Sequence, residues 1–143
     1  MTKTEERLGV AFARVQASDI LDLRHAMLRV GRPRDAAHLS GDDLSSTRHY
    51  ALLDEGKPVS CVTFVRAPLD GHDGWQLRGM ATARAWQRCG LGRRLLVRAC
   101  PLVREADDGP LWCNARVSAI GFYERLGWRA ISDVFDVPEV GPH

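Results

Sequence analysis

The sequence predicts a single α/β (α+β) domain built on a mixed sheet flanked by helices. Three observations lead there. Apolar residues alternate in several short runs, which is strand spacing, and recur every three or four positions in others, which is helix spacing. The two kinds interleave in the order β-α-(α)-β-β-β-α-β-α-β, which calls for a mixed sheet. The 143 residues can bury one core and are too few for two ordinary domains, so one domain is expected over residues 1–143.

Each element follows from its residues. "LGVAFARVQ" (Leu8–Gln16) alternates as a strand. "SDILDLRHAMLR" reads as an amphipathic helix, with Ser18 or Asp19 as N-cap and Ile20, Leu23, Met27 and Val30 on one face. Gly31 and Pro33 end it. "HLSGDDLSST" (His38–Thr47) is turn-rich and reads as a surface loop. Arg48–Leu53 and Pro58–Arg66 read as a hairpin around Asp54-Glu55-Gly56-Lys57. After the loop "APLDGHDG", Trp75–Ala83 reads as a strand. Its lone Gly79 suggests a bulge or a close backbone approach. "CGLGRRLLVRACPLVREADDG" is a helix with Leu91, Leu95, Ala99, Leu102 and Val103 on one face and a kink or local opening expected at Pro101. "PLWCNA" is a short strand, "SAIGFYERLGW" a helix closed by Gly127, and "RAISDVFDV" a last strand before an irregular tail, "PEVGPH".

Composition narrows the function. Apolar residues make up 45% and charged residues 27%, as in a soluble globular protein. The net charge of +2 is too small to imply a nucleic-acid partner. No apolar run approaches membrane-spanning length, and "MTKTEERLGV" lacks the apolar segment of a secretory signal, so no membrane association and a cytoplasmic location are expected. Cys61, Cys89, Cys100 and Cys113 form no metal-spaced group, so no metal is expected and the thiols should be reduced. Cys89 stands apart because it lies in a glycine loop at a helix start, where thiols tend to be more reactive.

That loop, "WQRCGLGRR" (Trp86–Arg94), is the chemical centre of the chain. Backbone N–H groups at a helix start point outward together, and the helix dipole adds positive charge. Glycine lets an anion lie on the backbone, and Arg88, Arg93 and Arg94 add charge. Spacing alone is equally compatible with a tight turn beside a solvated helix face. The loop is neither a P-loop nor a dinucleotide fingerprint, since Leu95 stands where the last glycine would be.

"QRCGLG" (Gln87–Gly92) resembles the Q/R-x-x-G-x-G/A element of the GNAT superfamily of N-acetyltransferases. The strand before it, "LRGMAT", is similar to that family's bulged fourth strand. "WCNARVSAIGFYERLGW" is similar to its strand-end asparagine followed by an A-x-x-F-Y-x-x-x-G-[FW] helix. The resemblance is strong from Trp75 to Trp128 and consistent in element order before that. It implies a mostly antiparallel central sheet with a splay between strands 4 and 5. It also implies acetyl-CoA as co-substrate, with its pyrophosphate on Gln87, Arg88, Cys89, Gly90, Leu91, Gly92 and Arg93. The pantetheine arm would lie along Met80, Ala81 and Thr82, with Asn114 and Ser118 on the same wall.

By the same resemblance the reaction is direct transfer of the acetyl group to a primary amine, of a small molecule or a peptide. Tyr123 stands at the general-acid position, ready to protonate the departing thiolate. A backbone N–H near Met80 would hold the forming oxyanion. The fourth strand lacks the glutamate many relatives use as base and has Arg78 at its middle; a water chain or an acceptor arriving as free amine could serve instead, and His49 and His25 are candidates by residue type, each read first as structural or surface. Acceptor choice is expected in Arg24–Thr47 and in the C-terminal tail; within the former, Gly41–Asp43 is either a lure for a cationic amine or a solvated turn. The chain after Phe135 is short for the family's last strand, so that strand is expected to be missing or short, and a homodimer would cover the open edge. A non-catalytic acyl-CoA-binding module on the same fold is the alternative.

Overall fold

The computed structural model describes residues 9–106, 109–132, 136–137 and 141–143. It divides after Trp112 into two compact units. The first holds β1 (Val10–Val15), α1 (Ala17–Leu28), β2 (Arg48–Asp54), β3 (Lys57–Arg66), β4 (Trp75–Thr82) and α2 (Leu91–Ala106). β5 (Leu111–Cys113) completes a five-stranded sheet in the order β1-β2-β3-β4-β5. Neighbours from β1 to β4 are antiparallel, and β5 runs parallel to β4. This is the mixed, mostly antiparallel sheet that the sequence predicts.

The hairpin between β2 and β3 turns through Glu55 and Gly56 alone, both with positive φ (48° and 81°). Such a turn matches the strand twist, and glycine takes that conformation without strain. α2 packs on β2, β3 and β4 through Leu91, Leu95, Leu96, Ala99 and Val103, all buried. Leu96 replaces Leu102 of the expected face. Leu102 is 37% exposed, because position 102 turns toward solvent while 96 and 103 share the stripe. The helix continues past Pro101 to Ala106.

α1 lies on β3 and β4. Its Ile20 joins Ala51, Cys61 and Ala81, with Leu23 and Met27 packed against that cluster. Two expectations for α1 need correction. Its N-cap is Gln16, whose N–H donates to Asp19 Oδ2 at 2.8 Å, so Asp19 closes the first turn from inside the helix. Val30 falls beyond the helix end and is 77% exposed.

The second unit holds α3 (Ile120–Arg125), entered through a 3₁₀ turn at Val117–Ala119 and closed at Gly127 (φ 94°). It also holds β6 (Asp136–Val137) and β7 (Gly141–Pro142), paired antiparallel. The middle of the expected last strand, residues 133–135, lies outside the described residues. The tail, expected to be irregular, carries a strand that is short rather than missing. β6 and β7 form a sheet of their own, separate from the five-stranded one.

The largest correction concerns His38–Thr47. It is no plain surface loop, because Asp42 and Thr47 are buried. Asp42 takes both terminal nitrogens of Arg24, itself only 1% exposed: Nη1 to Oδ2 at 2.6 Å and Nη2 to Oδ1 at 3.2 Å. Leu39 N–H donates to the same Oδ2 at 2.8 Å. The Gly41–Asp43 turn is therefore neither a lure for cations nor a solvated turn at Asp42. Breaking a buried pair strands a charge and costs about 3–5 kcal/mol, whereas replacing both partners with apolar groups is often neutral. Arg24→Met should destabilise the fold by that order in urea titration. The double variant Arg24→Met/Asp42→Leu should regain more than half of the loss.

Candidate functional site

The site begins at the bulge in β4. Cys61 pairs with Ala81 and Thr63 with Arg78, so Gly79 and Met80 together oppose Val62. Two residues against one is a β-bulge, and Gly79 at its first position has φ 60°. The glycine is needed twice over. Its φ disfavours a side chain, and a Cβ there would come 2.8 Å from Arg24 Nε. Arg24 thus fills the room that Gly79 leaves, and its Nε is buried without a hydrogen-bond partner.

Behind the bulge runs a chain of hydrogen bonds with one consistent proton arrangement. Arg24 Nη2 donates to Thr63 Oγ1. The Thr63 hydroxyl then donates to His49 Nδ1 (2.7 Å), and His49 Nε2 donates to the Asp42 carbonyl oxygen (3.0 Å). Both ring nitrogens are engaged and the ring is 5% exposed, so His49 is a structural group rather than the general base. Burial holds its pKa below 6.5, an effect opposed by the Asp42 carbonyl and aided by Arg24. His25 is likewise engaged, its Nε2 2.7 Å from Arg32 O at the end of α1.

From the bulge the strand leads to the glycine loop. Thr82 Oγ1 lies 2.9 Å from Ser60 Oγ, and the Gln87 side chain donates to Thr82 O at 3.1 Å, which ties the loop to the strand end. Arg88 has φ 64° and Gly90 φ 78°, so the chain turns back on itself twice in three residues. The positive φ at Arg88 is a strained state for a side-chain-bearing residue and was not legible in the sequence. Cys89 is exposed, its thiol 3.6 Å from Gln87 O. Arg94 N–H donates to Gly90 O at 3.1 Å, making it the first donor within α2. By helix geometry the N–H groups of Gly90, Leu91, Gly92 and Arg93 have no acceptor inside their helix. Leu91 is buried and anchors the turn; Arg93 is exposed. This is a cradle suited to a phosphate.

In β4, Ala81 is buried while Met80 and Thr82 are half-buried. The Trp75 N–H donates to Pro110 O at 2.8 Å, so the three residues of β5 flank the beginning of β4, and Met80–Thr82 run on beyond them.

In the second unit, Asn114 and Ser118 are exposed. Tyr123 is buried among Phe122 (ring centroids 5.1 Å apart) and Trp128 (5.3 Å). Its hydroxyl hydrogen-bonds Cys113, whose thiol burial pushes up to about 11. Burial raises Cys61 to about 12 and Cys100 to about 11, so these three thiols stay protonated near neutral pH. Among the described residues no group of three or more His, Cys, Asp or Glu side chains could hold a metal, and no helix is long and apolar enough to cross a membrane.

A bulged strand, a tight glycine turn and a helix start with free amides, followed by the asparagine and tyrosine motif, define one family. The acetyltransferase (GNAT) domain model matches residues 45–130, more than half of the chain, which therefore belongs to the GNAT family and is an acyltransferase. Members of this family use acetyl-CoA and act on amines. The chain is similar to YitI of Bacillus subtilis (strain 168), an uncharacterized N-acetyltransferase, at 27% identity over 132 residues, which span 90% of this chain and 89% of YitI. In fold it is similar to ElaA of Escherichia coli (TM-score 0.77, 16% identity, 93% of this chain and 97% of that one). It is also similar to an acyl-CoA N-acyltransferase from Pseudomonas aeruginosa (TM-score 0.74, 18% identity, 93% and 95%).

His49 generates a pH prediction. Its folded-state pKa is lowered, so the unfolded chain binds the proton more readily, and stability falls as pH drops below the ordinary value of 6.5. Thermal denaturation midpoints should fall between pH 7 and pH 5, and the fall should be smaller in His49→Gln.

Proposed function

We propose that the chain transfers the acetyl group of acetyl-CoA directly to a primary amine, acting as one domain over residues 1–143. The observation that carries this reading is the cradle at Gly90–Arg93, where four amides at a helix start follow a strand bulged at Gly79. The residues present fit the cofactor. Amides and the Arg93 guanidinium suit a pyrophosphate, and a strand that outruns its neighbour leaves backbone for an extended amide arm.

In this reading Gln87, Arg88, Cys89, Gly90, Leu91, Gly92 and Arg93 hold the pyrophosphate, mainly through the main chain. Met80, Ala81 and Thr82 hold the pantetheine arm along β4, with Asn114 and Ser118 contributing further polar contacts. Acetyl-CoA supplies a thioester, and the amine attacks its carbonyl carbon. A backbone N–H of β4 beside the bulge, at Met80 by resemblance, steadies the negative charge that gathers on the carbonyl oxygen. Tyr123 gives its proton to the departing sulfur. The assignment rests on the resemblance of "NARVSAIGFY" to the family's tyrosine motif. The attacking nitrogen, cationic once the C–N bond has formed, gives up one proton as the C–S bond breaks, and the tyrosine regains its proton from that nitrogen or from solvent. β4 carries no carboxylate and both nitrogens of His49 are engaged, so in this reading the acceptor either enters as free amine or loses its proton through a water chain.

Two measurements test the reading. In calorimetry the wild-type chain should bind acetyl-CoA, and Gly92→Glu, which adds bulk and negative charge to the cradle, should weaken binding at least about tenfold. In a thiol-release assay over an amine panel, Tyr123→Phe should retain acetyl-CoA affinity and lose about a hundredfold in turnover. Unchanged turnover at saturating substrates would remove the general-acid role. Absence of acetyl-CoA binding by the wild type would overturn the reading as a whole.

A further inference from the structure

β4 has one strongly charged side chain on the α1 face of the sheet, Arg78, immediately before the bulge. It shares that face with Thr63, its pairing partner, and with Ala81, which packs under α1. Arg78 is half-buried. Its Nη1 donates to the Ser40 carbonyl at 2.8 Å and its Nη2 to Gln76 Oε1, both neutral acceptors. Burial weakens its hold on the proton; Asp42 attracts it and Arg24 repels it.

Among the described residues the charges around it do not balance. Arg24 and Arg78 bring two positive charges to this face and Asp42 one negative charge. Asp42 is already committed to both nitrogens of Arg24. His49 is held neutral by burial. Asp43, the next carboxylate along the loop, faces the exposed His38 at 3.0 Å and is itself 80% exposed. A partly desolvated guanidinium with only neutral acceptors among the described residues is an unfavourable arrangement that an anion would relieve.

We infer that Arg78 is the anion-binding residue of the acceptor site, and that the acceptor is a primary amine carrying a carboxylate, of amino-acid type, rather than a polycation. The inference rests on the acetyl-transfer reading given above. Arg78 occupies the strand position immediately before Gly79–Met80, where that reading places the thioester carbonyl. A carboxylate held by its fork would bring an amine of the same small molecule beside the bulge. A polyamine would meet net positive charge at the same point.

The test is a kinetic comparison of matched acceptors: a panel of L-amino acids, each with its own carboxamide, and spermidine. The carboxamide keeps more of its amine unprotonated, so protonation alone would favour it. The wild type should instead favour the acids by about ten- to a hundredfold in kcat/KM, the worth of one charge-assisted hydrogen bond, mainly through KM. The ratio should collapse toward one in Arg78→Gln and recover in part in Arg78→Lys. Acetyl-CoA affinity reports that each variant is folded, and if Arg78→Gln fails to fold, the wild-type ratio and Arg78→Lys still decide. Equal use of acids and carboxamides, preference for spermidine, or a ratio that survives in Arg78→Gln would overturn the inference and leave acetyl transfer standing. Acetylation of no amine by a chain that binds acetyl-CoA would overturn both.

Discussion

Arg24 sits where Gly79 has no side chain, and much of the first unit is arranged around that contact. The guanidinium comes from α1, takes its counter-charge from the loop at Asp42, and reaches β3 at Thr63. Three separate segments are thereby fixed against the bulge of β4. A buried ion pair is a poor source of stability for its own sake, since desolvation consumes most of the attraction. Its worth here is geometric. It specifies one position for α1, one conformation for His38–Thr47 and one shape for the strand. An apolar side chain at position 24 would bury as well without dictating any of the three.

The two halves of the candidate site are built on different principles. The phosphate side is made of backbone: a strained turn at Arg88, a left-handed Gly90, and the amides that open α2. Such a cradle depends on conformation more than on side-chain identity, which is why two glycines and a buried anchor, Leu91, can define it. The proposed acceptor side is made of charge. Its groups come from α1, the following loop and β4, and their meaning depends on which of them pair. Asp42 is spent internally on Arg24, so it is not available as a carboxylate partner for Arg78.

That contrast explains what the sequence allowed. Strands, helices, the bulge at Gly79 and the cradle were legible because each has a local signature: alternation, helical spacing, a lone glycine in a strand, glycines before an apolar run. The buried network was missed because its members are 7 to 39 residues apart in the chain. One signal was present. Arg24 falls four residues after Ile20, on the apolar stripe of α1, where a charge must find a partner. Reading Gly41–Asp43 as solvated or cation-seeking failed for the same reason, since turn composition does not reveal a distant arginine. The helix face of α2 was misjudged by one position, Leu102 for Leu96, a difference that burial decides and periodicity does not. The positive φ of Arg88 leaves no trace in residue type.

In the proposed function the bulge of β4 and the amides opening α2 together receive acetyl-CoA. Backbone amide NMR during titration with acetyl-CoA tests it most directly. The claim predicts large, saturating shifts at Met80, Ala81 and Thr82 and at Gly90, Leu91, Gly92 and Arg93, with β1 and the β2–β3 hairpin nearly still. Saturating shifts confined to residues outside these two segments would contradict it.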